Sequence, residues 1–151
     1  MIILDNSVLS SFERLKLLSR LKQLLKSGII SREVYNEYSI QWQKKIPKWI
    51  KILQPKEDIT LESPPLSLSS ADLSLIKLSL EYKVPIATDD RVLREFAKNV
   101  GVSVTGSLGL LKSLYQSRLI KTKQEYQMFL DSLQKDIYLS DDLLKWALDE
   151  S

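Results

Sequence analysis

Short apolar runs alternate with longer segments of helical periodicity along this chain. The runs are rich in Ile, Val and Leu and are too short for helices, which is typical of strands buried on both faces. They occupy residues 1–4, 29–30, 84–87 and 102–104. Strands that alternate with helices predict parallel βαβ units, so we expect an α/β fold, a three-layer α/β/α sandwich with a central parallel sheet.

Apolar residues spaced three and four positions apart predict the helices. The first helix spans 7–26, with Leu9, Phe12 and Leu15 at that spacing, and Gly28 is expected to end it. Serines that precede the later segments are typical N-caps, Ser107 among them. Further helices are expected over residues 32–40, 70–82, 91–99, 108–116, 123–135 and 140–148.

The stretch between the second and third core strands is less regular. Residues 41–53 carry apolar positions at helical spacing, but Pro47 lies among them, which predicts a short or broken helix. Residues 58–61 predict an edge strand, and residues 63–68, with two prolines, predict a loop.

The chain of 151 residues contains no cysteine and no histidine. This composition excludes disulfides, thiolate zinc sites, cysteine nucleophiles, catalytic triads and imidazole ligands. The remaining oxygen ligands favour Mg²⁺, Mn²⁺ or Ca²⁺. The length predicts one domain over residues 1–151, with residues from about 121 onward as an appended helical tail.

The charge balance indicates a polyanionic partner. If four acids gather into one site, the 22 basic residues face the other 15 of the 19 acids. Such a surface suits RNA or DNA, although a mildly basic protein without a nucleic-acid partner has the same composition. No apolar stretch approaches the roughly 20 residues of a membrane helix. Asp5 interrupts the first apolar run, which argues against a signal peptide, and we expect a cytoplasmic protein.

Four acids fall at places where an α/β sheet could bring them together. Asp5 closes the first apolar run, Asp90 follows the run at 84–87, and Glu37 and Asp72 lie on predicted helices. The carboxyl ends of parallel strands are where such sheets bind ligands. Carboxylates gathered there are costly unless a cation lies among them. For Asp72, a first-turn acid that suits the helix dipole is the simpler interpretation.

These acids lie in motifs that resemble those of the PIN domain, the nuclease fold of VapC-type toxins. The resemblance covers about the first 120 residues, and Lys83 stands where that family commonly has glycine. In chain order the motifs are an apolar strand ending at Asp5-Asn6-Ser7, Val-x-x-Glu at Val34–Glu37, Asp-x-x-Leu-Ile at Asp72–Ile76, and Thr-x-Asp at Thr88–Asp90 followed by Arg91.

The resemblance implies a metal-dependent endoribonuclease that hydrolyses RNA phosphodiester bonds with Mg²⁺ or Mn²⁺. It implies that Asp5 and Asp90 bind metal directly, that Asp72 binds directly or through water, and that Glu37 positions a water or completes a second site. Glu33, one turn before Glu37, is an alternative ligand or a solvated first-turn acid. The family analogy also implies a toxin restrained by an antitoxin protein, and a homodimer.

Neighbours of these acids are candidates for supporting roles. Thr88 and Ser7 could orient the ligands or the attacking water, and Asn6 is a weaker candidate. Asp89 competes with Asp90 as a ligand. The Thr-x-Asp pattern favours Asp90, and Asp89 is then expected to cap the helix that starts at residue 91.

Basic residues near the motifs are open to two interpretations. Arg91 and Arg94 flank the proposed site and could hold a phosphate, or they pair with neighbouring acids. The lysines around Trp42 and Trp49 could follow a nucleic-acid backbone, or they cover a helix face above core tryptophans.

Two other functions compete with the nuclease. The first is a catalytically inactive PIN-like module that binds RNA or a protein. The second is a phosphohydrolase with Asp5 as nucleophile, but the Asp-x-Asp pair of haloacid-dehalogenase-like enzymes is missing because Ser7 follows Asn6. The sequence leaves open the RNA target, the choice between RNA and DNA, and the number of metal ions.

Overall fold

A sheet of five parallel strands lies at the centre of the computed structural model, which describes residues 1–56 and 59–149. The strand order is β3-β2-β1-β4-β5, and every neighbouring pair is parallel. The α/β/α fold expected from the sequence is confirmed. The strands are β1 (Ile2–Leu4), β2 (Gly28–Ile30), β3 (Ile50–Ile52), β4 (Ile86–Ala87) and β5 (Val104–Thr105).

Eight helices in the described part of the chain surround this sheet, and the predicted C-terminal pair is present close to its expected bounds. None of them is long and apolar enough to cross a membrane. The helices are α1 (Asn6–Arg14), α2 (Leu18–Leu25), α3 (Arg32–Trp42), α4 (Ser70–Tyr82), α5 (Arg91–Asn99), α6 (Ser107–Gln116), α7 (Lys123–Leu133) and α8 (Asp141–Leu148).

The central strand β1 is fully buried, because it has a strand on each side and helices on the sheet. Ile3 and Leu4 have no exposed surface. Ile3 pairs with Ile86 and Leu4 with Ala87, so β1 and β4 end at the same level. This register places the residues that follow the two strands next to each other.

The single helix predicted over 7–26 is wrong, because α1 and α2 are separate helices. The backbone turns at Lys16, whose φ of 59° lies in the left-handed region. The apolar spacing continues across the break, since Leu15 and Leu17 are both buried. The prediction that Gly28 ends this helix is also wrong: Lys26 is the C-cap, and Gly28 begins β2.

The stretch from 41 to 53 forms a helix end and a strand instead of a broken helix. The helix α3 ends at Trp42, and β3 pairs with β2 as the edge strand. Trp42 and Trp49 both pack on the core, which explains the apolar spacing. Lys44, one of the neighbouring lysines, forms an ion pair with Glu13. The edge strand predicted over 58–61 is wrong for residues 59–61, and residue 58 lies outside the described residues.

The C-terminal helices α7 and α8 pack on the core next to α6. The Tyr126 ring stacks on Tyr115 at a centroid distance of 4.3 Å, and its hydroxyl donates to the Ala147 carbonyl at 2.8 Å. Burial raises the pKa of Tyr126 to about 12. The Lys112 ammonium donates to the Trp146 carbonyl at 2.7 Å, which connects α6 to α8.

We expect Lys83→Gly to stabilise the protein. Lys83 ends α4 in the left-handed conformation, with φ of 57° and ψ of 46°, where glycine avoids the steric cost of a Cβ. The free energy of unfolding in urea should rise by about 0.5–1 kcal/mol. The same substitution at Lys77, inside α4, is the control and should lower it by about 1 kcal/mol. A loss of stability in Lys83→Gly would contradict the role of this cap.

Candidate active site at the carboxyl ends of β1 and β4

The chain leaves β1 and β4 towards opposite sides of the sheet, and this opens a crevice at their carboxyl ends. From β1 it continues through α1 and α2 to β2, whereas from β4 it continues through α5 to β5. In open parallel sheets such a switch point is where ligands bind. Asp5 follows β1 directly, and Thr88 follows β4 directly.

Hydrogen bonds hold the Asp5 carboxylate at this crevice. Its Oδ2 accepts from the Thr88 hydroxyl at 2.6 Å and from the Ser7 hydroxyl at 3.3 Å, and its Oδ1 accepts from the Asn6 backbone N–H at 2.8 Å. The Ser7 hydroxyl also accepts from the backbone N–H of Asp89 at 3.3 Å. These contacts join the end of β1 to the loop that follows β4.

Burial raises the pKa of the Asp5 carboxyl above its ordinary value. The hydrogen bonds from Thr88, Asn6 and Ser7 lower this pKa, while the negative charge of Asp72 raises it. Burial has the largest effect, so the hydrogen bonds from the protein do not fully offset the cost of burying the charged form of Asp5.

Glu37 and Asp72 lie within electrostatic range of Asp5. Partial burial raises the pKa of Glu37, and the charges of Asp5, Asp72 and Glu33 raise it further. A hydrogen bond with the Asn6 side chain lowers it. The structure thus brings three of the four predicted acids, from β1, α3 and α4, around one crevice.

Asp72 and Asp90 each use one carboxylate oxygen at the start of their own helix. Asp72 Oδ2 accepts from the Ser69 backbone N–H at 3.0 Å in a capping box. Asp90 Oδ1 accepts from the Leu93 backbone N–H at 3.1 Å as the N-cap of α5, and the Asp90 N–H donates to Thr88 Oγ1 at 3.1 Å. Within the described residues, the second oxygen of each carboxylate has no hydrogen-bond partner from the protein.

Asp89 binds the start of α6, and the expectation that it caps the helix at residue 91 is wrong. Its Oδ1 accepts from the Ser107 backbone N–H at 2.8 Å, and its Oδ2 accepts from the Ser107 hydroxyl at 2.6 Å. Asp90 caps α5 instead. Ser107 is not the N-cap of α6 either, because Gly106 holds that position. A Cβ at Gly106 would lie 2.8 Å from Asp89 Oδ1, so this contact requires glycine.

The two arginines predicted to hold phosphate have different surroundings. Arg91 is exposed, and its Nε lies 3.2 Å from a carboxylate oxygen of Glu95. Arg94 is half-buried, and it donates to the Thr88 carbonyl at 3.3 Å. Arg94 therefore contacts the loop that carries the candidate site, whereas Arg91 lies further along the surface of α5.

Glu33, the alternative ligand suggested by the sequence, has a buried carboxylate oxygen. Its Oε2 is the one buried side-chain polar atom without a hydrogen-bond partner in residues 1–56 and 59–149. The interpretation of Glu33 as a solvated first-turn acid is therefore wrong for this oxygen. Its charge acts on Glu37, so Glu33 adds a further carboxylate to the acids around Asp5.

The donor set fits a hard divalent cation, although the side chains do not converge on one point. Within the described part of the chain, no three acidic side chains are grouped closely enough to hold an ion. The available donors are carboxylate and hydroxyl oxygens, which is the ligand chemistry of Mg²⁺ and Mn²⁺. Burial raises the pKa values of Asp5 and Glu37, the charges of neighbouring acids raise them further, and the buried oxygen of Glu33 is unpaired. A cation would relieve both costs.

Comparison with known proteins identifies the family of this chain. A family model described as a PIN domain matches residues 1–151, so the chain belongs to the PIN domain family. The resemblance noted in the sequence is confirmed. Comparison with curated proteins and with solved structures found no match. PIN domains have a nuclease-type fold, are typically hydrolases that act on nucleic acid, and generally use divalent metal ions.

We expect Asp5→Asn to stabilise the protein at neutral pH. The folded-state pKa of Asp5 lies above its ordinary value of 3.8. Between the two pKa values the folded state binds more protons than the unfolded state, so its stability falls as the pH rises through that window. The asparagine that replaces Asp5 does not titrate, so the variant does not lose stability in this way. Its melting temperature should exceed that of the wild type at pH 7, and the two melting temperatures should become equal near pH 3. Equal melting temperatures at pH 7 in the absence of divalent metal would contradict this.

We expect Thr88→Val to raise the pKa of Asp5 further. The substitution keeps the shape of the buried side chain but removes the hydroxyl that donates to Asp5 and accepts from the Asp90 N–H. The loss of these hydrogen bonds should cost about 1–3 kcal/mol of stability. A carbon-13 NMR titration of the Asp5 carboxyl would measure its pKa, with Thr105→Val as the control. An unchanged pKa would rule out the Thr88 hydroxyl as a stabiliser of the charged form.

Proposed function

We propose that this chain is a metal-dependent endoribonuclease. The observation that carries the proposal is the position of Asp5, Glu37 and Asp72 around the sheet switch point, where the charge of Asp72 acts on Asp5 and the charges of Asp5 and Asp72 act on Glu37, within a chain of the PIN domain family. Carboxylates held together in this way lower stability unless a ligand compensates their charge, so their arrangement supports a binding role.

Each acid has its own part in the proposed site. Asp5 and Asp90 would hold Mg²⁺ or Mn²⁺ directly, Asp72 would bind directly or through water, and Glu37 would orient the attacking water. Thr88 supports the site from inside, because it donates to Asp5 and accepts from the Asp90 backbone. Such a cation lowers the pKa of water and balances the charge that develops on the phosphate.

We infer the substrate and the protein partners from the family and from the charge balance of the chain. The substrate is RNA, which agrees with the excess of 22 basic over 19 acidic residues. We further propose that the chain is a cytoplasmic toxin restrained by an antitoxin protein and that it forms a homodimer. Co-purification with the product of an adjacent small gene, and light scattering of the purified chain, would test these two assemblies.

We expect the wild type to cleave a mixed-sequence RNA with Mn²⁺ or Mg²⁺ and to lose this activity in EDTA. Asp5→Asn and Asp90→Asn should each lower the cleavage rate by at least about 100-fold, because each removes a charge from the metal site. Mn²⁺ should also raise the melting temperature of the wild type more than that of Asp5→Asn.

Asp131→Asn is the matched control, since Asp131 lies on α7 and its carboxylate accepts a hydrogen bond from the Gln127 side chain. It should cleave RNA like the wild type. If RNA stays intact and Mn²⁺ does not change the melting temperature of the wild type, the nuclease proposal fails. An inactive module that binds RNA or a protein would then be the better description.

A further inference from the structure

A groove of about 990 Å³ begins at the loop that follows the candidate site and extends to the C-terminal helix. One wall is formed by α5 and by the start of α6, and the opposite wall by the segment before α8 and by α8 itself. The residues that matter here are Arg91, Arg94, Lys98, Tyr138, Leu143 and Trp146, which all line this groove.

The α5 wall of the groove is basic. Of its two acids, Asp89 is hydrogen-bonded to Ser107, and Glu95 pairs with Arg91. In the part of the chain that the structure describes, Lys98 and Arg94 form no ion pair with a carboxylate. Arg94 donates to the Thr88 carbonyl, but no carboxylate neutralises its charge or that of Lys98, which gives this wall the charge that suits a phosphate backbone.

The opposite wall presents aromatic surface to water. The Tyr138 side chain is 88% exposed, and Trp146 is 46% exposed. The Lys112 ammonium lies 4.1 Å from the Trp146 ring centroid and keeps that ring beside the groove. Exposed aromatic side chains opposite basic ones form the combination that binds unpaired bases by stacking and their phosphates by charge.

We propose that this groove binds a single-stranded segment of RNA that continues from the scissile phosphate. The inference rests on the proposed nuclease function and names its substrate class. Asp89 lines the groove and directly precedes Asp90 in the chain, so the groove begins one residue from a proposed metal ligand. A duplex does not fit this chemistry, because its bases are already stacked and paired.

Binding of a fluorescent 12-nucleotide RNA, followed by anisotropy in the Asp5→Asn background with Mg²⁺, tests the groove. Tyr138→Ala should weaken binding about fivefold or more through the lost stacking contact. Lys98→Ala should weaken binding. It should also reduce the slope of log affinity against log salt concentration by about the amount that one phosphate contact contributes. A duplex of the same sequence should bind more weakly than the single strand.

Two controls match these variants. Lys22→Ala removes a lysine from the last turn of α2, as Lys98→Ala does from the last turn of α5. Met128→Ala removes an exposed apolar side chain of α7 outside the groove. Both controls should bind the single strand like the parent protein. Since all four residues are exposed, we expect the four variants to melt at the parent temperature.

The outcomes separate this inference from the nuclease proposal. If the wild type cleaves RNA but Tyr138→Ala and Lys98→Ala leave affinity for the single strand unchanged, the groove inference fails and the nuclease proposal stands. A groove that serves a protein partner would give this result. If the wild type cleaves nothing but both variants lose affinity, the groove inference holds and the nuclease proposal fails. Equal affinity for duplex and single strand would also overturn the groove inference.

Discussion

The hydrogen bond from Thr88 to Asp5 is the contact on which the candidate site depends. The two residues follow neighbouring parallel strands whose register ends them at the same level. A carboxylate at this buried edge raises the free energy of the fold, and the hydroxyl offsets part of that cost. Because Thr88 also accepts from the Asp90 backbone, one side chain fixes the position of the acids that follow β1 and β4. The register between β1 and β4 thus determines how the acids of the candidate site lie relative to each other.

The interpretation of an acid as a helix cap and its interpretation as a metal ligand are compatible here. Asp5, Asp72 and Asp90 each accept a backbone N–H at the start of a helix with one oxygen. Such a bond stabilises the helix and also restricts the carboxylate to one orientation. The oxygen that is not used by the cap is thereby held in place at little entropic cost. The helix caps therefore also hold these carboxylates in the fixed orientation that a catalytic site needs.

The sequence predicted the features that depend on local pattern and missed those that depend on distant contacts. Each of the four predicted apolar runs overlaps a strand of the sheet, and Asp5 directly follows the first of them. The break at Lys16 was missed because a lysine in the left-handed conformation gives no signal in the sequence. The edge strand was misplaced because Trp42, Trp49 and Ile50 keep helical spacing and pack on one core, although the chain changes from α3 to β3 between them. The contact between Asp89 and Ser107 joins residues 18 positions apart, which no local pattern indicates.

The C-terminal helices are held to the body of the protein by polar contacts at separate points, and this bears on their role. Arg14 of α1 donates to the Asp136 carboxylate and the Ser132 carbonyl, and Arg20 of α2 pairs with Glu125. Exposed pairs of this kind add little stability each. They do fix orientation, because they attach α7 at both ends while buried leucines supply the packing energy. These contacts also hold the segment that leads to α8, because Asp136 lies at its start.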